Sequence, residues 1–160
     1  MAVYRPAALA SLALSGVPVL VTLGQAALES GWGERAAGFN FFGIKALPSD
    51  PPDRRQLWRT REVHKDPNRK YPEVISVTRR ADGLFEYKVR DWFKAYPDAG
   101  SAFLDHGQFL RRYSRYSSAF RYTSDPYRFA EEVARAGYAT DPKYRDVLHS
   151  VMRTLEKAGL

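Results

Sequence analysis

The chain has no cysteine. Disulfides, thiol nucleophiles and cysteine-bound zinc are therefore excluded, and the fold relies on its core alone. A long unbroken apolar run is also missing. The N-terminal stretch MAVYRPAALASLALSGVPVLV is interrupted by Pro6, Gly16 and Pro18. It is too short and too broken to span a bilayer, so membrane insertion is not expected, and it reads as core helices rather than a signal peptide. Histidine is scarce: His64, His106 and His149 lie far apart and form no pair at helical spacing, so a metal site is not expected. Ser30 has no partner triad, which leaves nucleophilic serine catalysis without support, and no cofactor is called for. Acidic residues are the minority, 18 against 25 basic ones, for a formal charge of +7. That excess favours polyanionic partners. The basic residues come in separate pairs, however, Arg54-Arg55, Arg79-Arg80 and Arg111-Arg112, and no nucleic-acid motif accompanies them. Nucleic acid is not an expected partner.

The chain does have length and apolar content. With 160 residues and an apolar fraction of 44%, it suits one globular domain over residues 1–160. Residues 6–15 read as a short helix stopped by Gly16. Pro18 suits the first position of a second helix, which runs to Ser30 with Leu20, Leu23 and Ala27 on one apolar face and Gly31 as its stop. Pro48, Pro51 and Pro52 mark residues 31–56 as loop. A β-lobe follows over about residues 57–90. Residues 73–78 and 84–89 alternate in polarity around an Ala81-Asp82-Gly83 turn, and Leu57 to Val63 is a further strand candidate. After Pro97 the pattern is helical: residues 101–113, a helix opened by Asp125-Pro126, and a last one after Asp141-Pro142. The expected class is α+β, predominantly helical, with a small β-hairpin lobe.

Residues 26–33 read AALESGWG. They put a glutamate, Glu29, in the last turn of its helix, where the macrodipole and the unpaired carbonyls disfavour a negative charge. Both effects raise the pKa of the carboxyl, and burial beside Trp32 or Phe42 would raise it further. A carboxyl kept protonated near neutral pH is what a general acid needs. Gly31 and Gly33 permit close approach of a backbone or ligand. Trp32 offers a flat face of the kind sugars stack on, or else a core anchor. Asn40-Phe41-Phe42-Gly43-Ile44-Lys45 is a second tight aromatic stretch, with Asn40 a loop-holding amide or a sugar contact and Phe42 a packing residue near the site.

AALESGWG followed by FNFFGIKA resembles the signature of glycoside hydrolase family 73, the flagellar and autolysin-type β-N-acetylglucosaminidases. Phe39 stands where the family has the first of two adjacent asparagines. Thr60-Arg61-Glu62-Val63 resembles the family's Thr-x-Glu segment, Phe93-Lys94-Ala95-Tyr96 its Phe-Arg-x-Tyr segment, Asp105-His106 a pair found in many members, and the run from Ala136 to Tyr144 its C-terminal signature. The resemblance implies a lysozyme-like body that cleaves the β-1,4 bond after N-acetylglucosamine in peptidoglycan. Glu29 would be the proton donor, Glu62 the second carboxylate, with Glu73 and Glu86 as rivals, and Tyr138 a catalytic tyrosine that positions the acetamido sugar. Trp32, Asn40, Phe42 and Tyr144 would contact substrate. Glycan strands, and anionic cell-wall polymers beside them, would be the partners of a monomer working on the bacterial wall, in the periplasm or outside the cell, with phage lysis as one route there. A muramidase or lytic transglycosylase on the same body, and a non-catalytic wall-binding module, are the alternative functions.

Overall fold

Two glycines define the first two helices. Gly16 (φ 76°) closes α1, Arg5–Ser15, and Gly31 (φ 59°) closes α2, Val19–Ser30, each in the left-handed region that glycine enters without steric cost. Pro18 stands one residue outside α2 rather than at its first position. Its ψ of 139° is extended, and its carbonyl accepts the first helical bonds, from the N–H groups of Val21 and Thr22. The computed structural model describes residues 1–160. The chain divides into two compact units: a body, Met1–Phe42 with Tyr96–Leu160, and a lobe, Gly43–Ala95.

The body is helical and is built around α2. The sequence pattern gives α2 a single apolar face, yet Leu20 through Ala27 are buried without interruption. The reason is its position: α2 packs against α1, against α4, Pro126–Arg135, and against α5, Tyr144–Lys157. A helix enclosed in this way is apolar on every side apart from groups with specific partners. The partner of α1 is α3, Ala99–Arg112. The two approach so closely that a methyl group on Gly107 would lie 2.5 Å from Ser15 Cβ. Ser11 spans the same crossing by donating to the carbonyl of Phe103 at 3.0 Å, and Arg111 donates to the carbonyl of Ser15.

Capping chemistry sets the later helix starts, not always where the sequence placed them. Asp98 caps α3 by accepting from Ser101 N at 2.7 Å, so that helix starts earlier than residue 101. Asp125 caps α4, accepting from Arg128 N at 3.0 Å, with Pro126 in its first turn. Asp141 does not cap α5. It accepts from Lys143 N at 2.8 Å in a tight turn, and the helix begins after it, at Tyr144. Between α3 and α4, residues 114–122 form a 3-10 helix that no apolar periodicity announced.

The lobe is a three-stranded antiparallel sheet in the order β1-β3-β2, formed by β1, Arg55–His64, β2, Glu73–Arg79, and β3, Phe85–Lys94. The sheet extends beyond residues 57–90 at both ends because the whole of β1 pairs with the whole of β3, from Arg55 opposite Lys94 to His64 opposite Phe85. The β2–β3 turn is the expected one. Gly83 sits at φ 80°, Arg80 N donates to the carbonyl of Leu84, and Asp82 accepts from Leu84 N. One face carries the buried Tyr87, Val89 and Phe93. No helix in either unit is long and apolar enough to cross a membrane.

The α1–α3 crossing yields a stability prediction. Gly107→Ala forces a methyl group against the fixed Ser15 Cβ and lowers stability by about 1–3 kcal/mol, less the helix-propensity gain of alanine. Gly24→Ala meets side-chain ends that can shift, Met152 Cγ at 2.8 Å and Leu148 Cδ1 at 3.3 Å, and costs less. Thermal unfolding of both variants checks this order, and a larger loss for Gly24→Ala contradicts it.

Candidate active site

Glu29 is the penultimate residue of α2, and the end of that helix is tied off around it. The Ser30 hydroxyl donates to the carbonyl of Ala26 at 2.5 Å and accepts from Gly33 N at 2.8 Å. Trp32 N donates to the carbonyl of Ala27 at 2.7 Å. This clamp drives three consecutive residues, Gly31, Trp32 and Gly33, to positive φ. For a tryptophan, φ 62° costs on the order of 1–2 kcal/mol. The strain gains no burial, since Trp32 is 49% exposed. An aromatic face held in solvent at such a cost is suited to contact a ligand rather than the core.

A polar relay reaches Glu29 from inside the body. Gln25 lies one turn earlier on α2 and is fully buried. Its Nε2 donates to the hydroxyl of Tyr144, the first residue of α5, at 2.8 Å. Tyr144 in turn donates to the Glu29 carboxyl. Partial removal from water raises the Glu29 pKa above its ordinary value of 4.5, and the Tyr144 hydrogen bond opposes the rise. The residue as a whole remains exposed, so solvent tempers the shift. Burial also raises the Tyr144 phenol, opposed by Gln25 and reinforced by the nearby Glu29 charge, so the hydroxyl stays neutral and is a donor toward Glu29.

Behind this relay stands an aromatic stack. Tyr138 lies nearly parallel to Tyr144, ring centroids 5.6 Å apart at 23°, and its hydroxyl faces His106 Nε2 at 3.3 Å. Burial holds the Tyr138 phenol well above its ordinary pKa. His106 stacks on Phe42 at 3.8 Å and 9°. Burial pushes the imidazole down to about 3, against a weaker opposing pull from Asp105. His106 is thus a neutral packing element, and its Nδ1 has no hydrogen-bond partner. Phe42 and Asn40 are buried, 9% and 7% exposed, so both line the interior of the body beneath its surface. Of the residues singled out in the body from sequence, Glu29, Tyr144, Tyr138 and Phe42 belong to one continuous set of contacts, and Trp32 follows Glu29 by three residues. Gln25 was not legible in advance. A glutamine inside an apolar helix carries one signal only, a polar side chain at a core position, and that signal names no partner.

Glu62 belongs to the lobe. It lies on the sheet face of Tyr87, Val89 and Phe93, directly opposite Tyr87. Lys45 binds it at 2.8 Å and binds Asp91 at the same distance, so two carboxylates share one ammonium. Lys45 also lies 4.2 Å over the Phe93 ring. Burial lowers the Lys45 pKa, but the hydrogen bonds and charges of Asp91 and Glu62 outweigh it and leave it raised. The rival acids lie on the other face, each with its own arginine: Glu86 at 3.6 Å from Arg61 and Glu73 at 3.3 Å from Arg90. Lys45 and Asp91 went unnoticed in the sequence because Lys45 meets β3 through an isolated bridge opposite Phe93, and only the β1–β3 register then brings Glu62 within its reach.

The helical body and the small antiparallel sheet are those of a lysozyme-like α+β fold. The family comparison agrees with that fold. Residues 5–157 match the family model described as Glucosaminidase, mannosyl-glycoprotein endo-β-N-acetylglucosaminidase, and the chain belongs to that family. It is 30% identical over 162 residues to the peptidoglycan hydrolase FlgJ of Vibrio cholerae, an alignment covering 98% of this chain and 43% of the relative. Against the FlgJ of Salmonella typhimurium the identity is 35% over 158 residues, covering 94% and 43%. The chain thus spans less than half the length of these relatives. A crystal structure of a peptidoglycan hydrolase mutant from Sphingomonas sp. A1 superposes with a TM-score of 0.65 at 28% identity, over 92% of this chain and 86% of that one.

The buried imidazole makes acid stability predictable. The pKa of His106 is lower folded than unfolded, so its contribution is complete above the ordinary value of 6.5 and is lost as pH falls from there toward about 3. Unfolding free energy drops over that window with a slope of up to about 1.4 kcal/mol per pH unit from this group. Urea titrations at several pH values check the slope. His106→Gln flattens it, and an equal slope in that variant contradicts the assignment.

Proposed function

We propose that this chain is a peptidoglycan endo-β-N-acetylglucosaminidase, a monomer that works on glycan strands of the bacterial wall, with Glu29 as the general acid. The observation that carries the reading is the environment of Glu29: a carboxyl in the last turn of α2, partly withdrawn from water, with its pKa raised and a neutral phenol oriented on it. Cleavage of a glycosidic bond passes through an oxocarbenium-like state, and the leaving oxygen must receive a proton as the bond breaks. Glu29 supplies that proton. The names of the FlgJ relatives and of the Sphingomonas structure, all peptidoglycan hydrolases, support the substrate.

Glu62 is the proposed second carboxylate, acting as base, nucleophile or orienting group for the acetamido of the sugar. Two observations favour it over Glu73 and Glu86. It matches the family's Thr-x-Glu segment, and Lys45 fixes it on the partly buried sheet face, whereas its rivals are engaged with arginines on the other. Tyr144 is proposed to orient Glu29, and Tyr138 to support Tyr144 by stacking, in addition to its assignment on the acetamido sugar. Trp32 is the proposed stacking surface for a sugar ring, because it is exposed at the expense of backbone strain. Anionic polymers of the wall are further proposed partners, in keeping with the charge of +7.

Mass spectrometry of digested, borohydride-reduced peptidoglycan tests the reaction. New reducing N-acetylglucosamine ends are expected, and reducing N-acetylmuramic or anhydro-sugar ends contradict it. Glu29→Gln keeps the fold and loses about 10²–10⁴-fold in rate. Activity near wild type in that variant overturns the role of the acid. Tyr144→Phe removes a hydrogen bond that lowers the Glu29 pKa, so the alkaline limb of kcat/KM, where the acid deprotonates, moves to higher pH. An unmoved limb shows that Tyr144 does not act on Glu29.

A further inference from the structure

The lobe keeps an arrangement that a sheet does not favour by itself. Residues opposite one another in antiparallel strands share a face, and like charges placed there destabilise the pair. On the β1–β3 face turned away from Tyr87 and Val89, Arg55 stands opposite Lys94, Arg59 opposite Arg90, and Arg61 opposite Lys88. Arg59, Arg61, Lys88 and Arg90 are exposed. Among the four exposed cations, Glu86 offsets Arg61 and Glu73 offsets Arg90, and Arg59 and Lys88 pair with neither carboxylate. The Nε of Arg55 is buried without a hydrogen-bond partner, and its guanidinium lies 5.3 Å over the Trp92 ring. Departures from a local rule that recur along one face point to a function for that face.

Apolar side chains run between the charges. Leu57 stands opposite Trp92 on the same face, and the two are 41% and 38% exposed, with Val63 at 37%. Guanidinium groups bind carboxylates through paired hydrogen bonds. Exposed leucine, valine and tryptophan match alkyl side chains, which a bare phosphodiester polymer does not have. We propose that this sheet face docks the anionic peptides borne by the glycan strand, its arginines and lysines binding peptide carboxylates while Leu57, Val63 and Trp92 take the neighbouring alkyl groups. The inference rests on the reading of peptidoglycan as substrate, and it adds a second contact beside the one made to the sugar chain.

Co-sedimentation tests it, with the Glu29→Gln protein as the non-cleaving parent. Intact peptidoglycan is compared with the same glycan stripped of its peptides by an amidase, with and without added wall phosphodiester polymer. The parent binds intact material roughly tenfold tighter than stripped material at low salt, as expected for a few exposed ion pairs acting together. The combined change Arg59→Gln, Arg61→Gln, Lys88→Gln removes that difference and leaves the melting temperature equal to or above the parent's, because it relieves like-charge repulsion. Equal parent binding to intact and stripped material overturns the proposal, as does a preference that survives the triple change. A response that follows the phosphodiester polymer instead of the peptides also overturns it. Failure of the substrate reading is seen separately, in wild-type protein that releases no new reducing ends.

Discussion

The proposed chemistry depends on where one carboxyl sits relative to the dipoles and water around it. Glu29 lies in the last turn of α2, where partial shielding from solvent raises its pKa against the opposing Tyr144 hydrogen bond, and where the helix end offers carbonyls rather than N–H donors. α2 is enclosed by three other helices, so the backbone bearing Glu29 is as rigid as the core. Gln25 and Tyr144 then hold the carboxyl through a two-step relay that starts from a fully buried amide. Rigidity, shielding and orientation thus come from the same packing that stabilises the body.

Much of this was legible in the sequence because local chemistry writes it there. Gly16 and Gly31 end their helices at left-handed φ, Asp125-Pro126 opens α4, and Gly83 turns the β2–β3 hairpin, as their residue types require. The position of Glu29 in the last turn followed from the Gly31 stop, and the rise of its pKa was expected, but burial rather than helix polarity causes it. Where local signals compete, the sequence was less clear. Asp141-Pro142 looks like the device that opens α4, yet Asp141 closes a turn with Lys143 N and the helix starts later. Asp98 capped α3 unnoticed because the glycine at position 100 obscured the helix start.

What could not be read were contacts that exist only through packing. The pairing of Gln25 with Tyr144 joins residues 119 positions apart. The stack of Phe42 on His106, and the bond from Tyr138 to that imidazole, turn a histidine with no metal-ligand spacing into the neutral centre of an aromatic wall. In the lobe, β1–β3 register decides which glutamates share a face. It sets Glu62 on the face of Asp91, where Lys45, bridged opposite Phe93, binds both, and it lines up same-sign charges on the opposite side. Alternation of polar and apolar residues shows that a strand exists but not what lies across from it.

Under the proposed function, the body and the lobe contribute to glycan hydrolysis in different ways. The body presents the proposed acid on a fixed helix. The lobe holds a carboxylate by sharing a lysine, on a sheet whose other face is strongly cationic. The proposed acid role depends on the ionisation of Glu29. Its carboxyl carbon, followed by ¹³C NMR across pH 3 to 9 in the intact wild-type protein, measures that ionisation directly. The carboxyl is predicted to titrate above the ordinary value of 4.5. A midpoint at or below that value contradicts the account.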